Sequence, residues 1–186
     1  MLKYVFGFIF GLLFLSQLNA QQETGKYKEI GLEYQQYPTG ALPGLRVELS
    51  WAAHHSVALR VGYNIARHGN AGEHQLEEGG GFGGTLGYRY YLKPENIGLF
   101  FGGRTDLWFN KIDWKDEIGT ANELVGQTDI IVLQPTAVIG YLFFIQKKIT
   151  IAPNLAVGYE INIAQRGANV GEGAIVLGGL TVGVRF

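Results

Sequence analysis

A histidine and a serine two residues apart, His54 and Ser56, form the arrangement in this sequence that most suggests an enzyme. A serine hydroxyl acts as a nucleophile when a histidine removes its proton and a carboxylate holds that histidine in place. No acidic residue is clearly placed to complete such a triad. We therefore predict no catalytic residue, and we interpret the pair as part of a solvated turn in a protein that is not an enzyme.

Arginines and carboxylates form a second group, at alternate positions of segments whose other positions are apolar. The members are Arg46, Arg60, Arg89, Arg104 and Arg185 with Glu29, Glu33, Glu48, Asp106 and Glu160. A guanidinium can satisfy two acceptors at once, which suits charges that share a confined space. We interpret the ten as an interior charge network that packs a core, and a gate or proton path is the alternative.

Histidines and acidic residues also gather in two polar stretches between these segments. They are His68, Glu73, His74, Glu77 and Glu78 in one stretch and Asp113, Asp116, Glu117 and Glu123 in the other. Their spacing fits neither the calcium loop nor a common zinc pattern. We predict no metal site and no cofactor, and we treat both stretches as solvated loops with divalent-cation contact as the alternative.

The elements that carry these residues are eight segments in which bulky apolar residues alternate with small or polar ones. A period of two is typical of β-strands with two unlike faces. In the last segment Leu180, Val182, Val184 and Phe186 share one face, and Arg185 lies on the other among glycines and a threonine. None of the eight apolar faces carries a charge.

The connections between the segments alternate in length after the first hairpin. Residues 52–56, 93–96 and 146–148 form short connections, and residues 66–80, 112–128 and 164–173 form long ones. Short turns at one end and long loops at the other are typical of an even-stranded membrane barrel with both termini at the short-turn end.

Two kinds of barrel share this alternation. A soluble, lipocalin-like barrel turns its apolar face inward, whereas a membrane barrel turns that face to lipid. A water-facing surface would be rich in lysine, but the polar face here carries glycines, arginines and carboxylates and no lysine. A charge facing lipid at the midplane costs about 2–4 kcal/mol, so the uncharged apolar faces favour lipid outside. The sequence therefore predicts an all-β, eight-stranded antiparallel up-and-down transmembrane β-barrel.

The amino terminus has the features of a secretory signal peptide. Lys3 precedes an apolar run that is shorter than the roughly 18 residues of a membrane-spanning helix, and Ala20 follows as a cleavage site. We predict a signal peptide at 1–20 and an outer-membrane β-barrel domain at 21–186. The chain has no cysteine, and its net charge changes from −1 to −2 on cleavage because residues 1–20 hold one lysine and no acid. This balance argues against nucleic acid as a partner.

Aromatic and proline residues add two expectations about the strands. Pro135 and Pro153 lie inside predicted strands, where the missing N–H interrupts a ladder, so we predict a bulge or local irregularity. Aromatic residues near predicted strand ends are interpreted as interfacial girdles. They are Tyr34, Trp51, Tyr63, Tyr90, Phe109, Trp114, Tyr141, Phe143, Tyr159 and Phe186.

Several motifs carry a family resemblance: Leu86-Gly-Tyr-Arg-Tyr-Tyr-Leu92, Ala137-Val-Ile-Gly-Tyr141 and the terminal Val184-Arg-Phe186. With the eight segments they resemble the small, porin-like outer-membrane β-barrel domain family of Gram-negative envelopes. The resemblance implies an outer-membrane location with periplasmic termini. It also implies that the barrel-assembly machinery reads a signal formed by Phe186, Val184, Val182 and Leu180.

That family includes adhesins, structural proteins, small pores and a few lipid-modifying enzymes, so fold does not settle function. We predict a monomer with a non-enzymatic structural or surface-interaction role through its outer loops, in contact with membrane lipid and lipopolysaccharide. One alternative is a lipid-modifying hydrolase, because His54 and Ser56 resemble the site of lipid A deacylase barrels. A small-conductance channel is the other.

Overall fold

The chain forms a closed barrel in which every strand pairs with its neighbours in sequence. The computed structural model describes residues 26–69, 72–146 and 148–186, so the predicted signal peptide lies outside the described residues. The strands are β1 (Tyr27–Tyr37), β2 (Gly40–Ala52), β3 (His55–Gly69), β4 (Leu76–Tyr91), β5 (Gly98–Asp116), β6 (Leu124–Ile145), β7 (Ile149–Arg166) and β8 (Gly173–Arg185). All adjacent pairs are antiparallel, and β8 pairs with β1 to close the ring. The predicted eight-stranded up-and-down barrel is confirmed.

Several strands extend further at the long-loop end than the alternating pattern predicted. β3 and β4 stay paired as far as Gly69 and Leu76, and β5 and β6 as far as Asp116 and Leu124. Much of the predicted loop sequence is therefore sheet. The outward face of these extensions carries charged residues such as Arg67, Glu78 and Lys115 in place of apolar ones, which explains why the extensions were predicted as loops.

Bulky apolar side chains cover the outside of the barrel in a continuous central band. Val61 and Phe82, for example, are 66% and 75% exposed. Outward-facing charges on the strands of the described chain lie above or below this band. Lys28 lies at the short-turn end, and a ring of charges at the long-loop end includes Arg67, Glu78, Lys111 and Asp129. No described helix is long and apolar enough to cross a membrane.

Both prolines lie where the ladder between β6 and β7 is interrupted. Pro135 keeps its place opposite β5 and Pro153 its place opposite β8, but neither has a partner across the β6–β7 boundary. The β6–β7 register also shifts between Ile131 and Val132. Proline has no N–H to donate, so at that residue a strand can stay paired with the neighbour on one side and lose its pairing with the neighbour on the other side.

Candidate functional site

The structure separates the histidine and the serine that could have formed a hydrolase site. Ser56 is fully buried in the lumen, where its hydroxyl donates a hydrogen bond to Glu48. His54 lies in the β2–β3 turn, with its Nδ1 2.8 Å from the carbonyl oxygen of Tyr91 and its ring stacked on Tyr90. The histidine thus bonds to the backbone and the serine to a carboxylate, so the two do not form the histidine–serine hydrogen bond of a catalytic triad.

The part of the charge network nearer the short turns is centred on Glu48. Arg46 bonds to Glu48 through Nη2 and lies 3.3 Å from Glu29 through Nη1. Arg89 donates to Glu48 at 3.2 Å, and Arg185 lies 3.2 Å from Glu29. Glu48 also accepts hydrogen bonds from three hydroxyl groups, those of Tyr27, Ser56 and Tyr91. Every oxygen of this fully buried carboxylate is therefore satisfied, as a buried charge requires.

The middle of the network is centred on Glu33. Its carboxylate lies 3.2 Å from Nε of Arg46, 3.1 Å from Nη1 of Arg60 and 3.3 Å from Nη1 of Arg104. Arg60 also donates to Asp106 at 2.6 Å. One acid of β1 thus connects arginines of β2, β3 and β5 across the lumen. A cavity of about 30 Å³ beside these residues is large enough for one water molecule.

Glu160 does not join the interior charge network for which it was predicted. Within the described chain it has no ion pair with any of the five arginines, whereas the other nine predicted members are linked. β7 is paired with β8 so that Glu160 lies opposite Gly173, at the long-loop end. Large apolar side chains lie between that level and the arginines.

An outer apolar layer fills the lumen between the network and the long loops, and it was not predicted. Trp108 is its largest member, with its ring centre 5.4 Å from the guanidinium carbon of Arg60. Gly83 leaves room for that indole, because a Cβ there would overlap the ring. The layer also includes Tyr37, Leu42, Ile112, Ile130, Val132, Val170, Ile175 and Leu177.

An inner apolar layer closes the lumen near the short turns. It consists of Tyr91, Phe100, Leu142 and Ala152. The Phe100 ring centre is 4.3 Å from the guanidinium carbon of Arg89, so this layer also contacts the network. The charges centred on Glu33 and Glu48 are thus enclosed between two apolar layers, which favours a packed core over an open path.

We expect the purified protein to give flat current traces in planar lipid bilayers. Ions would have to cross both apolar layers and a network whose arginines are already paired, and each step is unfavourable. Bilayers that receive the same detergent without protein are the control. Discrete conductance steps seen only with protein would contradict a closed lumen.

At the long-loop end, Glu77 of β4 contacts three parts of the chain: β3, the residues just before β4, and the residues just before β8. Its carboxylate accepts hydrogen bonds from the backbone N–H groups of Glu73, His74 and Gly171, and it lies 3.3 Å from Nδ1 of His68. Burial raises the pKa of this carboxyl, but the hydrogen bonds from His68 and the backbone outweigh burial, so the pKa lies below its usual range. Glu77 lies at the level of the outward-facing charge ring and therefore above the apolar band.

His74 and Gln75, which precede β4, contact the end of β5. The His74 ring stacks on Trp114 with 4.2 Å between ring centres, and its Nδ1 lies 2.6 Å from Oδ2 of Asp116. The hydrogen bonds from His74 and from the backbone N–H of Gln75 lower the pKa of Asp116 below its ordinary value. Trp114 therefore packs under a loop, which corrects its interpretation as a girdle residue.

The residues of the predicted assembly signal lie on the outer face of β8 and just after it. Leu180, Val182, Val184 and Phe186 are all about half exposed. Phe186 exchanges two backbone hydrogen bonds with Lys28 of β1, so the aromatic residue stands at the seam of the barrel. Their role as a signal stays a prediction.

The barrel is similar in fold to solved structures of outer-membrane proteins. Ail, the attachment invasion locus protein of Yersinia pestis, gives a TM-score of 0.50 at 12% identity, covering 89% of this chain and 100% of Ail. The N-terminal β-barrel domain of Pseudomonas aeruginosa OprF gives 0.48 at 16% identity, with 88% and 100% covered. Neisserial surface protein A gives 0.39 at 12% identity, with 87% and 96% covered. No family model and no curated protein matches the sequence.

At these identities the likeness concerns the fold alone, which is the one that the family resemblance implied. The described residues offer no group of three metal-ligating side chains. The geometry therefore describes a filled barrel whose polar, accessible features lie at the mouth near the long loops.

Proposed function

We propose that this protein is an integral outer-membrane barrel with a non-enzymatic role, in which the strands anchor the chain and the long-loop end interacts with the exterior. The apolar band is the observation that carries this proposal. Fully exposing so many bulky side chains to water is unfavourable by about 25 cal/mol per Å² of apolar surface, whereas lipid accepts them. The enclosed arginine–carboxylate network supports the same orientation.

A non-enzymatic role is supported by the contacts of Ser56. Its hydroxyl bonds to Glu48 inside the closed lumen, away from any substrate that approaches from either end. A lipid-modifying hydrolase would need that hydroxyl beside a histidine and close to the lipid.

The charge of the long-loop end supports an interaction role with a cationic or cation-bridged partner. Ten acids and four bases lie there: Glu73, Glu77, Glu78, Asp113, Asp116, Glu117, Glu123, Asp129, Glu160 and Glu172 with Arg67, Lys111, Lys115 and Arg166. An acidic surface attracts cations and repels polyanions. Contact with lipopolysaccharide, which is itself anionic, would therefore run through divalent cations. Membrane lipid around the band and the barrel-assembly machinery at Phe186 complete the proposed partners.

Cysteine labelling of intact cells tests both the location and the orientation. The chain has no cysteine, so Ala121→Cys in the β5–β6 loop and Glu95→Cys in the β4–β5 turn each introduce a single exposed thiol. With periplasmic termini, a membrane-impermeant maleimide should label A121C on intact cells and E95C only after the outer membrane is permeabilised. Labelling of E95C but not A121C on intact cells would reverse the orientation, and labelling of neither after permeabilisation would remove the barrel from the outer membrane.

A further inference from the structure

A cleft of about 250 Å³ opens at the long-loop end, between the β1–β2 turn and the start of β8. Its wall includes Tyr37, His68, Glu160 and Glu172. A much smaller cavity adjoins it, because His68 and Glu160 line both spaces. Asn110 lines this inner cavity. The inner cavity measures about 10 Å³, which is the lower limit for a group of the size of one water molecule.

Asn110 is the observation that marks this site as built for a ligand. Its side chain is only 4% exposed, and Oδ1 accepts no hydrogen bond in the described structure. A buried amide oxygen without a donor is unfavourable, so buried polar groups are nearly always paired. Asn110 lines the same inner cavity as Glu160, and a donor placed in that cavity would be close to its unpaired side chain.

The carboxylates of the site differ in how far their oxygens are already used. Glu77 is fully engaged by His68 and three backbone N–H groups, so it fixes the wall. Glu172 accepts one hydrogen bond, from the backbone N–H of Asn162 at 2.8 Å. Glu160 accepts none from the described residues and lines both spaces. No lysine or arginine of the described chain lines either space.

We propose that this cleft binds a primary alkylammonium group, with the ammonium between Glu160 and Asn110. Such a group carries one positive charge and three N–H donors, which matches a free carboxylate beside an unfilled amide acceptor. Ile175, Val176 and the ring of Tyr37 line the wider part, where the alkyl chain lies. A metal ion fits less well, since no three ligating side chains of the described residues are grouped.

The ammonium belongs either to a free polyamine or to a lysine side chain of a peptide. The inference names the ligand class of the surface interaction proposed above, and it rests on that proposal for its biological setting only. Binding itself is measured on the purified protein folded in detergent. Its failure is therefore distinct from a failure of the labelling experiment on cells.

Isothermal titration calorimetry with putrescine and with Nα-acetyl-lysine methylamide tests the proposal. We expect a Kd of about 1 mM for the better of the two, because the site offers the ligand one ion pair and few other contacts. Tetramethylammonium, which has no N–H donor, and calcium chloride should bind at least about tenfold more weakly. The better of the two amines identifies the source.

Variants locate the site. Glu160→Gln should weaken amine binding at least about tenfold, because it removes the charge that faces the ammonium. Glu78→Gln, an exposed glutamate on the outer face of β4, is the matched control and should bind as the wild type does. Mobility of unboiled samples on gels reports folding, and Glu172→Gln serves if E160Q does not fold. Equal binding by the wild type and E160Q, no binding of either amine by the wild type, or tighter binding of calcium through Glu160 would overturn the proposal.

Discussion

Replacing Arg60 with methionine should destabilise the folded barrel by about 3–5 kcal/mol, the cost of breaking a buried ion pair by removing one partner. Arg60 is 3% exposed and bonds to Glu33, Gln35, Thr85 and Asp106. Methionine keeps most of the volume but leaves the Asp106 carboxylate with only a longer, 3.4 Å contact to an arginine. The loss should be measured by reversible urea unfolding in lipid vesicles, with gel mobility as a second probe.

Arg67→Met is the matched control for this experiment. Arg67 pairs with Glu78 at 2.6 Å, but its side chain is 77% exposed, and exposed pairs contribute about 0–1 kcal/mol. The double variant R60M/D106L should lose less than the sum of its two single variants, because neither partner is then left unpaired. Losses for R60M and R67M that agree within about 0.5 kcal/mol would show that the lumen is wet and its charges screened.

Placing an arginine at Val61 should cost about 2–4 kcal/mol of folding free energy in vesicles, if the band faces lipid. Val61 lies outward near the middle of β3, between Leu59 and Tyr63, and both neighbours on that face are also exposed. A guanidinium there would have to reach the interface along the barrel wall or carry water into the bilayer. Unfolding in vesicles of defined thickness measures the cost.

Val125→Arg provides a control of almost equal exposure. Val61 and Val125 are 66% and 65% exposed, but Val125 lies on the extension of β6 opposite Lys115, beyond the outward charge ring. The same substitution should therefore cost no more than about 1 kcal/mol there. In a soluble barrel both side chains would face water, and both substitutions would change the folding free energy little. Equal and small losses of folding free energy would therefore contradict the membrane location.

The alternation of residue types was sufficient to predict the eight strands and the side each one turns inward. It was less informative where bulky residues are adjacent, as in Leu107-Trp108-Phe109, because both faces then look apolar. Alternate residues of a strand point to the same side. Because Arg104 and Asp106 point into the lumen, Trp108 two residues further should do so as well, and Tyr91 should follow Arg89 in the same way. The largest residues of the two apolar layers could therefore have been predicted from the alternation of inward and outward positions along each strand, whatever their hydrophobicity.

The neighbours of each lumen residue could not be predicted in the same way. Phase correctly turns Glu160 inward, but its height relative to the arginines depends on strand tilt and on the β7–β8 register. The partner of Ser56 is likewise set across the barrel, by Glu48 of β2. Local spacing carries no information about which residues meet across a lumen that closes only when β8 pairs with β1.

The pairing of β1 with β8 joins more than two strands. Arg185 of β8 contacts Glu29 of β1 and also donates a hydrogen bond at 2.9 Å to the carbonyl oxygen of Asn96, in the turn between β4 and β5 on the opposite wall. A barrel in which β8 has not yet paired with β1 would lack these contacts across the lumen. The β4–β5 turn would then keep the hydrogen bonds from Asn96 to Ser50 and Ala52 but lose the one from Arg185, and Glu29 would lose its contact with Arg185. Barrel closure should accordingly be cooperative, because the pairing of β8 with β1 and the contacts of Arg185 across the lumen form together.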